Sequence, residues 1–188
     1  MQKKLQNKLG LKFSEDIIDI VQFGSSIQLE SEPNDIDIAV IFKSIPLKNQ
    51  LEESQKIKKQ LEKHFSKPIH INSYDFYNLF NEGNFAKESI LFYGKSLLSG
   101  DYFSKTLGIA PRIHIHYSLE DLEKKDKVRF NYLLNGKKGN YGLLREYGGK
   151  LLNPGLIEIK PEHEKIFTEA LQKITKNIIV KIVFLQVV

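Results

Sequence analysis

The chain has 188 residues, of which 41% are hydrophobic and 27% charged, with no cysteine and a formal charge of +5. This apolar content is too high for a disordered chain, and no uncharged run is long enough to span a bilayer. The lack of cysteine excludes thiol nucleophiles, thiolate metal sites and disulfides. Met1-Gln2-Lys3-Lys4-Leu5 lacks the apolar core of a signal peptide, so a cytoplasmic protein without membrane contact is expected. The charge is uneven: residues 1–104 carry 13 Lys/Arg against 14 Asp/Glu, and residues 105–188 carry 15 against 9. That split marks out two regions, 1–104 and a basic extension, 105–188.

Taken in chain order, residues 1–12 read as a short basic helix or arm. Ser14-Glu15-Asp16 resembles a helix start, and the apolar run Ile20-Val21-Gln22-Phe23 ends at Gly24. Ser25 and Ser26 suit a helix N-terminus, which predicts a strand–turn–helix junction. Pro33-Asn34 signals a turn, and residues 35–42 form an apolar strand. A helix is predicted from Leu47 to His64, with Leu51, Ile57 and Leu61 on its buried stripe. Pro68 opens a strand through Ile69 and Ile71. Short helices follow over Asp75–Phe80 and Phe85–Phe92, the second closed by Gly94.

Beyond Gly100, residues 112–117 alternate as a strand, and Ser118-Leu119-Glu120-Asp121 resembles a capping box for a helix that Gly136 ends. Residues 136–155 hold six of the twelve glycines and read as irregular. Pro161 begins a helix with Phe167, Leu171, Ile174 and Ile178 on one face. The apolar run 178–188 fits either helix or strand. The whole predicts an α+β chain: a mixed sheet with helices on one face in two layers, followed by a basic α+β extension.

The chemistry is concentrated in Phe23-Gly24-Ser25-Ser26 and Asp35-Ile36-Asp37. Residues two apart on a strand share a face, so Asp35 and Asp37 present two carboxylates together while Ile36 and Ile38 enter the core. Paired carboxylates repel one another unless a hard divalent cation neutralises them. Gly24 allows a tight turn and close approach of a ligand to the backbone. Free N–H groups after it suit phosphate oxygens.

These residues and their spacing resemble the nucleotidyltransferase superfamily with the polymerase-beta-like fold, in its minimal single-domain form. The resemblance covers about residues 13–98 and takes in Ile90-Leu91-Phe92-Tyr93-Gly94. It implies transfer of a nucleoside monophosphate from a nucleoside triphosphate such as ATP to a hydroxyl of a macromolecule, protein or nucleic acid, with release of pyrophosphate. Asp35 and Asp37 would be the catalytic pair holding Mg²⁺ or Mn²⁺, and Gly24, Ser25 and Ser26 would bind the nucleotide. Active members usually add a third carboxylate from the strand after the helix. Here that strand offers His70 and Asn72 facing the aspartates, with Asp75 beyond them. A catalytically degenerate relative that binds nucleotide or nucleic acid as a regulator is the alternative.

Two further patterns stand out. His114 and His116 share a strand face, with a surface or half-buried pair expected rather than a metal site. His64 and His163 are expected to be exposed. Residues 124–150 hold eight Lys/Arg against Asp126 and Glu146, interleaved with Tyr132, Tyr141 and Tyr147. Basic side chains there, Lys137, Lys138 and Arg145 foremost, are candidates for contact with RNA or DNA phosphates, with tyrosines stacking on unpaired bases.

Overall fold

The computed structural model describes residues 9–27, 32–137 and 139–187. The basic start of the chain, Glu30 in the spacer before Asp35, and Lys138 lie outside the described residues. The chain divides into two compact units, residues 1–109 with 187–188, and residues 110–186. The boundary expected at 104/105 falls inside a 3-10 turn, Phe103–Leu107.

In the first unit, β1 (Ile17–Phe23) runs into a 3-10 turn (Gly24–Ile27), then β2 (Ile36–Phe42) and α1 (Leu47–Leu61). β3 (Ile69–Asp75), α2 (Phe76–Leu79), α3 (Lys87–Phe92) and β4 (Lys95–Ser96) complete it. The sheet order is β3-β2-β1-β4. β1 is antiparallel to β2 and to β4, whereas β2 and β3 are parallel across the α1 crossover. The sheet is therefore mixed, and the chain is α+β.

The helix expected from Ser14 does not form. Ser14 instead closes a turn, its carbonyl accepting from the Ile17 N–H and its hydroxyl donating to Asp16. The β-branched run of Ile17, Ile18, Ile20 and Val21 then favours a strand. Leu11 is buried in the core ahead of it.

Alternation along β2 distributes the core over both faces. Ile36, Ile38, Val40 and Phe42 pack with Ile57 and Leu61 of α1. Ala39 and Ile41 pack with Leu79 of α2 and Ile90 of α3. Helices thus cover both faces, and the expected two-layer arrangement with helices on one face is corrected to three layers. The stripe of α1 is also corrected. Its buried residues are Gln50, Ser54, Ile57 and Leu61, spaced at helical period, while Leu51 falls out of phase and is exposed. The two polar members are satisfied: the Gln50 amide donates to the Ile45 carbonyl, and Ser54 pairs with Ser73 at 2.7 Å. The helix ends at Leu61, three residues before the expected His64.

One acid lies wholly inside this unit. Asp19, where the β1–β2 register shifts, has no exposed surface. Its Oδ1 accepts from the Ile20 N–H at 2.8 Å and from the Ser96 hydroxyl at 2.7 Å. Ser96 Oγ in turn accepts from the Leu98 and Ser99 N–H groups. Burial pushes the Asp19 carboxyl up to about 6, against the lowering pull of its two donors.

The second unit is built on β5 (Ile109–Tyr117), α4 (Lys124–Asn135), the hairpin β6 (Gly136–Lys137) and β7 (Asn140–Tyr141), and α5 (Leu143–Glu146). β8 (Lys150–Asn153), β9 (Leu156–Ile159), α6 (Glu164–Gln172) and β10 (Ile178–Gln186) follow. Its main sheet has the order β10-β5-β9-β8. Ile113 and Ile115 of β5 pair with Ile159 and Ile157 of β9, and all four are buried. The capping box expected at Ser118 is only a turn, in which Ser118 Oγ accepts from the Glu120 N–H, and α4 starts at Lys124. The helix from Pro161 opens as a 3-10 turn and ends at Gln172, so Ile174 and Ile178 lie beyond it. The open choice for 178–188 resolves as strand over Ile178–Gln186, with Val188 outside the described residues.

His114 contacts Glu158 at 3.3 Å, and Glu158 is almost fully buried. His64 is exposed. His163 is not; it is half-buried, its ring 5.1 Å from that of Tyr147.

Candidate metal and nucleotide site

The site forms where β1 ends. Phe23 is paired with Asp37 across the β1–β2 ladder, so the turn that begins at Gly24 lies against the aspartate. Gly24 has φ +72, a conformation L side chains rarely adopt. A Cβ there would stand 2.5 Å from Asp37 Oδ2. The glycine is therefore required twice, once by its backbone and once by its neighbour. Its N–H donates to Ser89 Oγ at 3.4 Å, which brings α3 to the site.

Beyond Gly24 the chain makes a single 3-10 turn instead of the expected helix. Ser26 closes that turn: its hydroxyl donates to the Phe23 carbonyl at 3.1 Å and accepts from the Gln22 amide at 3.0 Å. The Ser26 side chain is thus committed to the turn itself. Ser25 is exposed at its outer side.

Asp35 and Asp37 emerge at the start of β2 on the face opposite Ile36 and Ile38, both half-buried. The third strand decides which side chain meets them. In the parallel register Asp37 is paired with His70, Ala39 with Asn72 and Phe42 with Asp75. His70 Nδ1 lies 3.2 Å from Asp35 Oδ2 and 4.0 Å from Asp37 Oδ1. One ligand atom from each of Asp35, Asp37 and His70 lies within 4.8 Å of the others. Among the described residues this is the group of three acidic or imidazole side chains so placed.

Asn72 shares the parity of His70 but is displaced along β3 beside Ala39. Asp75 is removed from the site altogether. It has the opposite parity, stands at the far end of β3, and caps α2 by accepting from the Tyr77 N–H at 2.9 Å. Asp75 thus serves as a helix cap, the alternative to a third site group that its place before Phe76-Tyr77 also allows.

The electrostatics follow from this crowding. Partial burial and then the charge of Asp35 push the Asp37 carboxyl above its usual range, with His70 pulling it back. Tyr74, on the same face of β3 as His70, has its phenol raised by burial and by the Asp37 charge. Tyr74 and Ser89 complete the surroundings. Tyr74 was accessible to parity arithmetic along β3. Ser89 arrives from a distant helix and carries no local signal.

Two carboxylates and one imidazole converging on one point fit a divalent cation. Carboxylate oxygens suit Mg²⁺ and Mn²⁺ alike, whereas imidazole is a donor for softer first-row metals. No protein-family model, curated protein or solved structure matches the chain. No helix among the described residues is long and apolar enough to cross a membrane.

Proposed function

We propose that the first unit is a divalent-cation-dependent nucleotidyltransferase. The reading is the one to which the sequence resemblance points. The observation that supports it best is the contact of Gly24 with Asp37, beside the Asp35–His70 pair. A backbone turn without a side chain, two carboxylates and an imidazole meet at one sheet end, where a phosphate chain and a cation can be held together.

Asp35 and Asp37 hold the cation, which when bound supplies positive charge against the phosphate oxygens. Gly24 brings its backbone N–H to the site beside Asp37, and its long bond to Ser89 is one that a phosphate oxygen can displace. Ser26 fixes the turn, and Ser25 lines its open side. Asp35 orients His70 through Nδ1, leaving Nε2 to accept the proton of the acceptor hydroxyl. The hydroxyl oxygen bonds the α-phosphorus as the bridging oxygen to the β-phosphorus leaves with pyrophosphate. Such transfer depends on positioning and charge more than on covalent help from the protein.

One observation favours a second reading, a non-catalytic nucleotide binder. The third position holds an imidazole in place of a carboxylate, and it is already paired with Asp35. Incubation with labelled ATP, CTP, GTP or UTP and Mg²⁺ or Mn²⁺ separates the two. Label transfer and pyrophosphate release that vanish in Asp35→Ala and Asp37→Ala support the enzyme. Nucleotide binding without pyrophosphate release under either metal establishes the binder.

A further inference from the structure

The second unit carries a basic cleft. Residues 124–150 account for a net +6 within a chain of net +5. Lys125, Arg129, Lys137 and Arg145 are all exposed, and none is ion-paired with a carboxylate among the described residues. Unneutralised charge of this density is costly to the folded state and is usually retained for an anionic partner.

The positions are ordered. Lys125, Arg129 and Tyr132 stand at i, i+4 and i+7 of α4 and share one face, the two cations about 6 Å apart along the axis. That face runs into the β6–β7 hairpin, where Lys137 Nζ lies 5.3 Å from the centre of the Tyr132 ring. The Arg145 guanidinium stacks on the Tyr141 ring at 4.0 Å. Hairpin, end of α4 and start of α5 border an open cleft of about 340 Å³, lined by Lys137, Tyr141 and Arg145 with Asn135 and Asn140. The hairpin can lie this close to the end of α4 only because Gly136 and Gly142 carry no Cβ, for which there is no room. Tyr132 and Tyr141 are nonetheless 45% and 65% exposed, while Tyr147 packs against His163 and Phe167. Of the three tyrosines of this segment, Tyr132 and Tyr141 each meet a cation and still keep exposed ring surface, while Tyr147 is structural.

We propose that this cleft and the adjoining face of α4 bind single-stranded nucleic acid, cations holding phosphates and Tyr132 and Tyr141 stacking on unpaired bases. Duplex or an acidic peptide would engage the charges but leave both rings without a role. The proposal uses only residues of the second unit and stands apart from the transferase reading.

Fluorescence anisotropy on the full chain with labelled oligouridylate and oligothymidylate tests it, against the matching duplexes and polyglutamate. Single strands are expected to bind more tightly than either control, with affinity falling linearly in log salt. Tyr141→Ala should weaken binding roughly ten- to hundredfold while Tyr141→Phe retains it. The double variant K125E/R129E should abolish it, with thermal melting confirming that these surface variants fold. Asp35→Asn with Asp37→Asn should leave it unchanged, so failure of the transferase reading does not touch the result. Equal affinity for duplex or polyglutamate, a Tyr141→Ala effect below twofold, or no binding at low salt would each overturn the proposal.

Discussion

Asp19 gives the sharpest quantitative test of the first unit. Its carboxyl is fully enclosed between β1 and β4, and its Oδ2 has no hydrogen-bond partner among the described residues. Folding raises the group from 3.8 to about 6, so the native state binds this proton more tightly than the unfolded chain. Stability is then unaffected below about pH 4, falls as pH rises between the two values, and carries the full cost by pH 7. At about 1.4 kcal/mol per decade of proton activity, the cost is about 3 kcal/mol. That is a large part of the 5–15 kcal/mol or so that holds an ordinary domain together. Asp19→Asn keeps an Oδ1 acceptor for Ser96 and Ile20 and removes the titration. Urea unfolding of both proteins from pH 4 to 7.5 isolates the effect, because other carboxylates cancel in the difference. The variant should gain about 3 kcal/mol relative to the wild type on going from pH 4 to pH 7. A difference that stays flat with pH, or grows toward acid, would show that the ionised carboxylate is not being held against its solvation.

Other expectations concern the candidate site. Gly24→Ala should cost about 1–2 kcal/mol from the left-handed backbone alone and, by displacing the Asp37 carboxylate, weaken Mn²⁺ binding at least tenfold by calorimetry. His70→Asn should remove the group that takes the hydroxyl proton and lower label transfer by about 10²–10⁴-fold while leaving Mn²⁺ binding to Asp35 and Asp37 in place; undiminished transfer would mean that His70 is not the base. Asp75→Ala should lower stability by about 1 kcal/mol through loss of the α2 cap and leave metal affinity as it was. A drop in affinity there would return Asp75 to the site.

The pairing of Asp35 with Asp37 was legible because strand parity is strict over two residues, and Ile36 and Ile38 pin the face. Choosing among His70, Asn72 and Asp75 needed the register of β3 on β2, which no local pattern encodes. The layer formed by α2 and α3 is harder to read. Leu79 and Ile90 sit in helices too short for a periodic signal, so the cover they give to Ala39 and Ile41 is visible only in three dimensions. Ser14-Glu15-Asp16 carried a helix-start signature that a turn uses equally well, and the β-branched residues after it decided the outcome. On α1, the polarity of Gln50 and Ser54 hides their place on the buried stripe. In the second unit, composition marked the basic stretch, but only the ring contacts separated Tyr147 from Tyr132 and Tyr141.

The parallel pairing of β2 with β3 also sets an order of assembly. β1 and β2 are neighbours in the chain and lie antiparallel, so the strand pair that presents both aspartates closes with local contacts. His70 joins them only after α1 has carried the chain back across the sheet, a slower, longer-range closure. Loop-closure entropy therefore favours an order in which the two carboxylates face each other before the imidazole arrives. A cation binding at that stage would meet the pair of carboxylates before the imidazole that pairs with Asp35 is in place.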